Sequence, residues 1–279
     1  MHFADRLHDA TRRTGSPVCV GLDPVLESLP ADLRAKHHDP LEAIAEFCRG
    51  VLHAAAPHAP AIKFQSACFE RYGGRGVLLL EHLLTEAASQ GFVVVLDAKR
   101  GDIGISASHY AIAAKRTGAH AVTVSGYLGP SGVTPFLDAG LAVFVLVRTS
   151  NPDSDAVQAH SLRDGRSVAE MMADHVAALG ASRLGACGLS DVGAVVGATK
   201  SSEGRTLRAR MPAQVLLVPG YGAQGGTAED IRALLTARGD GVLVTASRSI
   251  IYAPGEGPWK DRVAAAAQKL NREVLGILC

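Results

Sequence analysis

Eight short apolar runs, spread along the whole chain and separated by longer segments of helical period, restrict the fold more than any other feature. They are Val18–Leu22, Ala61–Phe64, Val93–Leu96, Ala121–Val124, Ala142–Val147, Ala194–Gly197, Val215–Val218 and Gly241–Thr245. Each is too short for a helix and apolar at successive positions, as in a parallel strand covered on both faces. Between them, Pro40–Ala55, Val77–Gln90, Ser106–Thr117, Ser167–Leu179, Ala228–Ala237 and Lys260–Val274 read as helices. In the second of these, Leu78, Leu79, His82, Leu83 and Glu86 set an apolar face against a polar one. Eight β units with helical crossovers predict an α/β fold of the closed (β/α)8 TIM-barrel class. The expectation is a single domain over residues 1–279, with a short amphipathic helix in Met1–Thr14 and a closing C-terminal helix. An open doubly wound sheet would need a G-x-G-x-x-G turn after the first strand. Here that strand runs into Asp23-Pro24.

Composition removes several function classes. The 28 basic and 27 acidic residues leave a net charge of +1, without the basic excess of a nucleic-acid binder. No apolar stretch is long enough to span a bilayer, and the charged N-terminus is unlike a signal peptide. A cytoplasmic protein with no membrane partner is expected. Cys19, Cys48, Cys68, Cys187 and Cys279 are scattered, without a CxxC pair, and read as reduced thiols. The eleven histidines show no H-x-H or HExxH spacing, so no metal site is predicted. Arg205, Arg208 and Arg210 read as a solvated helix face, and Trp259 as the packing anchor of the last helix.

In a barrel, reactive groups gather where strands end. Those positions here are unusually polar. The first strand ends at Asp23, the second carries Lys63 and Gln65, and the third ends in Asp97, Lys99 and Asp102. The fifth leads into Arg148-Thr149-Ser150-Asn151 and an irregular stretch to Arg166. The seventh leads into Pro219-Gly220-Tyr221-Gly222-Ala223-Gln224-Gly225-Gly226, and the eighth into Ser247-Arg248-Ser249. These last two loops form a phosphate site on paper. The glycines let backbone N–H groups approach an anion, the helix beginning near Thr227 offers its positive end, and Gln224 and Arg248 supply side-chain donors. Asp97 and Lys99, two apart on a strand, share a face. With Lys63 and Asp102 they predict an alternating charge network, because buried charges persist only when paired. Flanking carboxylates keep a lysine protonated, making it a proton donor and a poor Schiff-base nucleophile.

Taken in order, Lys63, Asp97-x-Lys99-x-x-Asp102-Ile103, Thr149-Ser150-Asn151-Pro152, the Pro219–Gly226 loop and Ser247-Arg248 resemble the orotidine 5′-phosphate decarboxylases. The Asp-Ala-Lys-Arg-Gly-Asp-Ile form and the long loop after the fifth strand resemble the longer bacterial type 2 subfamily. The resemblance covers about Val18 to Ala253. It implies conversion of orotidine 5′-phosphate to UMP and CO2 in pyrimidine synthesis, with no metal and no cofactor. It implies Lys99 as the proton donor to C6, Asp97 facing the leaving carboxylate, and Lys63 linking the charges to the ribose. It further implies a homodimer in which Asp102, with Ser106 beside it, serves the neighbouring site. Asp23 matches a ribose contact, Ser150 a pyrimidine contact, and Gln224 and Arg248 phosphate ligands. The sequence departs from the pattern at Ser249 and at Ser125-Gly126, where relatives often carry Gly and Asn-Pro.

Two rivals remain from other classes. One is a Mg2+-dependent sugar-phosphate decarboxylase or aldolase on the same barrel, which would carry a glutamate where Lys63 stands. The other is a non-catalytic nucleotide-binding barrel, which has no need of four charges at its mouth.

Overall fold

The computed structural model describes residues 1–198, 201–222 and 225–278. Eight parallel strands close into a barrel in the order β1 to β8. They are β1 (Val18–Leu22), β2 (Ala61–Gln65), β3 (Val93–Arg100), β4 (Ala121–Val124), β5 (Ala142–Arg148), β6 (Ser190–Val196), β7 (Gln214–Pro219) and β8 (Val242–Ala246). Each of the eight predicted runs overlaps one of them, with only Gly197 and Gly241 falling just outside β6 and β8. The longest extensions, four residues each, are in β6 and in β3, which continues through Asp97 and Lys99 to Arg100. β6 begins at Ser190, whose hydroxyl donates to Gly180 O at 3.2 Å and so enters the core satisfied.

The strands serve two cores. Outward-facing Val18, Val20, Ile62, Phe64, Val94 and Leu96 pack under the helices. Inside the barrel, Cys19, Ala61, Val93, Val95, Ala121, Phe144, Val195, Leu217 and Leu243 form a second cluster. The N-terminal helix (Phe3–Thr14) closes its floor with Phe3, Ala4, Leu7 and Ala10. Phe3 meets Phe144 edge to face at 5.8 Å, and Gly193 leaves room for Phe144 where a Cβ would stand 2.8 Å from its ring. Asp5 ties the helix down by accepting from Cys187 N at 2.8 Å and Ala186 N at 3.0 Å.

The helices lie close to their predicted spans, with three corrections. In Gly73–Ser89 the buried face is Leu80, Leu83, Leu84 and Ala87, while Leu78 is exposed. The predicted helix Ala228–Ala237 stops at Ala233, because the Arg208 guanidinium takes Leu234 O at 2.7 Å. Arg208 is therefore no part of a solvated face. It is buried and also donates to the carbonyls of Met211, Gln214 and Gly241 at 2.7–2.9 Å. Arg210 pairs with Glu170 and Asp174. The C-terminal helix (Trp259–Leu278) is anchored as expected. Trp259 lies 5.1 Å from Phe47, and a Cβ on Gly50 would collide with it. No helix is long and apolar enough to cross a membrane among the described residues.

Candidate active site

The C-terminal ends of the strands surround a cavity of about 490 Å3. On one wall, four charged groups alternate in sign. Asp23 at the end of β1 lies 3.4 Å from Lys63 Nζ on β2, Lys63 reaches Asp97 on β3 at 2.9 Å, and Lys99 Nζ reaches the other Asp97 oxygen at 2.6 Å. Asp97 also accepts from Gln65 at 3.3 Å and from the Thr123 hydroxyl at 2.8 Å. Both carboxylate oxygens are thus fully engaged, which is the condition for keeping a charge in so dry a place. Burial raises the Asp97 pKa, but Lys63 and Lys99 outweigh it and hold the carboxyl at about 2. Burial likewise pulls the Lys63 ammonium down, and Asp23 with Asp97 more than reverses this. The Lys99 side chain is 46% exposed against 8% for Lys63. Of the two lysines, Lys99 is the more open to a ligand in the cavity.

Within one chain Asp23 joins the predicted network as a further carboxylate, paired with Lys63. Asp102 lies past the end of β3 and outside the cavity lining, its carboxylate accepting from Ile103 N at 2.8 Å. Ser106, in the helix Gly104–Arg116, is exposed and also outside. Around them Ile103, Ile105, Tyr127 and Leu128 are 47–81% exposed.

The irregular stretch after β5 folds over one side of the cavity. It contains a helical turn at Asp155–Gln158, and Thr149, Ser150, Asn151 and Gln158 line the wall. Gly197 permits this, since a Cβ there would stand 3.0 Å from Ser150 Cβ. Arg148, predicted at the rim, is instead buried beneath the loop. It holds Glu203 through two nitrogens at 2.8 and 2.9 Å, Ser154 at 3.0 Å and Asp155 at 2.6 Å. It anchors the loop and does not line the cavity.

Beside the charge array, where β8 pairs with β1, Gly220, Tyr221, Ser247, Arg248 and Ser249 also line the cavity. Ser247 reaches it because Gly21 on β1 leaves space, a Cβ there falling 1.9 Å from the Ser247 hydroxyl. Arg248 is exposed, with no carboxylate paired to it among the described residues, and so presents a free planar cation. Two details of the predicted phosphate site change. The Gly222 N–H is committed to Gly226 O at 2.9 Å, so Gly222 shapes the turn and is outside the cavity lining. The helix Ala228–Ala233 begins in a capping box, Asp230 accepting from Thr227 N at 2.6 Å and Thr227 accepting from Asp230 N at 3.3 Å, so two of its N-terminal N–H groups are already engaged. Gln224 lies outside the described residues.

Sequence reasoning missed Thr123 and Thr245. Both are buried polar residues in otherwise apolar strands, and both line the cavity. A hydroxyl inside a run such as Ala121-Val-Thr-Val was the available signal. Among the described residues, no group of three or more His, Cys, Asp or Glu side chains is placed to hold a metal ion.

Comparison with known proteins gives a consistent result. A family model described as the orotidine 5′-phosphate decarboxylase / HUMPS family matches residues 16–258. The chain is 40% identical over 302 residues to an orotidine 5′-phosphate decarboxylase of Rhodopirellula baltica, covering 99% of this chain and 100% of that one. It is 40% identical over 284 residues to the enzyme of that name from Deinococcus radiodurans, with 99% and 98% covered. The solved OMP decarboxylase of Leishmania donovani superposes with a TM-score of 0.82 at 33% identity, covering 100% of this chain and 99% of that one. With the closed barrel and its charged mouth already described, these matches place the chain in the orotidine 5′-phosphate decarboxylase / HUMPS family.

Proposed function

We propose that this barrel decarboxylates orotidine 5′-phosphate to UMP and CO2, with Lys99 delivering the proton to C6. The observation that carries the reading is the Asp23–Lys63–Asp97–Lys99 chain lining one cavity with Arg248, which has no carboxylate partner among the described residues. Arg248, with Gln224 and the Ser247 turn, takes the phosphate. Asp23 and Lys63 meet the ribose, and Ser150 meets the pyrimidine. The C6–carboxylate bond then breaks with its electron pair left on C6. The Lys99 ammonium stabilises that developing negative charge, the general electrostatic strategy of enzymes. It transfers a proton to C6 and is reprotonated from solvent. Asp97 faces the departing carboxylate and, ionised throughout, holds the ammonium in place. Phosphate binding far from C6 offsets the cost of assembling these charges around an anionic substrate. No step calls for a metal or a cofactor.

The reading takes residues 1–279 as one barrel domain acting as a homodimer. The exposed Ile103, Ile105, Tyr127 and Leu128 around Asp102 support this, since apolar clusters of that kind mark contact surfaces. Asp102 and Ser106 then complete the partner's site. A cytoplasmic location is supported by Cys19, Cys48, Cys68 and Cys187, all free thiols. Following the absorbance of orotidine 5′-phosphate with EDTA present tests the reaction. Undiminished turnover is expected. No turnover with or without Mg2+ would refute the reading, and turnover abolished by EDTA would favour a Mg2+-dependent reaction instead.

A further inference from the structure

β3 and β4 lose register at the site itself. Val95 and Leu96 stand opposite Ala121 and Val122, and pairing resumes only at Arg100 opposite Val124. Three residues, Asp97 to Lys99, therefore face one, Thr123. A ladder cannot satisfy every backbone group on the longer side of such a bulge. The strain is visible at Lys99, whose φ of 45° makes it the only non-glycine residue at positive φ among the described residues. Residues with a Cβ persist in that region only when their surroundings hold them there.

Thr123 supplies the hold. Its hydroxyl accepts from Lys99 N–H at 2.9 Å and donates to Asp97 Oδ1 at 2.8 Å. The polarity is forced. A backbone N–H only donates, so the hydroxyl must accept there, and its single proton is left for the carboxylate. The same Asp97 oxygen receives the Lys99 ammonium at 2.6 Å. One buried hydroxyl thus fixes both the backbone of Lys99 and the carboxylate that aims its side chain.

We infer that Thr123 is a positioning residue for the decarboxylation, acting through Lys99 and Asp97 and not through substrate. This rests on the function proposed above. Thr123→Val keeps the shape and removes both hydrogen bonds, while Thr123→Ser keeps both. With orotidine 5′-phosphate as substrate, Thr123→Val is expected to lower kcat roughly 30- to 100-fold, the scale of a misplacement near 1 Å. KM and the Kd for UMP should stay within about twofold, and Thr123→Ser within about threefold of wild type in kcat, on the same scale. Should Thr123→Val fail to fold, the same kcat gap is expected between Thr123→Ser and Thr123→Ala. Wild-type turnover with a hydroxyl-less variant as active as Thr123→Ser overturns this inference and leaves the reaction intact. A loss confined to KM and UMP affinity also overturns it. No turnover by wild type overturns the reaction and this inference together.

Discussion

At the N-terminal end of β3, Val93 and Val95 are sealed by the helix that carries Phe3, Leu7 and Ala10. At the C-terminal end of the same strand, Asp97 and Lys99 stand in an open cavity with two further charges. The two ends of one barrel thus use opposite physics. The floor excludes water with apolar side chains, each contributing on the order of 1.5–3 kcal/mol when fully buried. The mouth collects charges whose desolvation consumes most of what their attraction returns. The difference teaches where each kind of damage should appear. Lesions at the floor should lower stability and spare chemistry, and lesions at the mouth should fall first on chemistry.

The largest effect is expected from the mouth. Lys99→Ala and Asp102→Ala should each lose at least about 1000-fold in turnover with little change in thermal midpoint, since both side chains are partly exposed. Mixed and allowed to exchange subunits, the two inactive proteins should recover about a quarter of wild-type activity, one intact site in each heterodimer. No recovery would show that Asp102 acts in its own chain or not at all. At the floor, Phe3→Ala should cost about 3 kcal/mol of stability, measured by urea unfolding, with kcat/KM of the folded enzyme unchanged. A loss of activity without a loss of stability would break the comparison. Arg248→Ala should remove about 2–3 kcal/mol of substrate binding, roughly 30- to 150-fold in kcat/KM, and leave the midpoint where it was.

The smallest effect concerns acid. The Asp97 pKa of about 2 lies below the ordinary 3.8, so its ion pairs stabilise the fold above about pH 4. That contribution drains away as pH falls through about 2. Wild type should lose about 2 kcal/mol more over this window than Asp97→Asn, the other paired carboxylates contributing equally to both. Equal slopes in urea unfolding across the window would contradict the assignment.

Much of this contrast was legible in the sequence, and the remainder was hidden for identifiable reasons. Strands apolar on both faces announce a covered parallel barrel, and polar residues after strand upon strand announce its mouth. The amphipathic period of Phe3–Thr14 says that one face is buried, but a period carries no information on what it is buried against. The floor was therefore invisible. Asp102 lies past Arg100 and outside the cavity of its own chain. Asp23, distant in sequence, joins Lys63 through the β1–β2 register, which spacing along one strand does not reveal. Arg148 was misplaced for a related reason. The register of β5 shifts between Leu146 and Arg148, and a shift redirects every side chain beyond it. Leu146 lines the cavity while Arg148 turns to Glu203. The hydroxyl of Thr123 in an apolar run marked it as a polar strand residue, but the bulge it faces lies on β3 and leaves no mark beside it in the sequence.

The proton itself gives the most direct test of the account. Wild type and Lys99→Ala are incubated with orotidine 5′-phosphate in D2O, and the nucleotide is read by NMR. Wild type should yield UMP carrying deuterium at C6, while Lys99→Ala should yield essentially none yet still bind UMP. Deuterated UMP formed by Lys99→Ala at the wild-type rate would contradict the central claim that Lys99 delivers the proton.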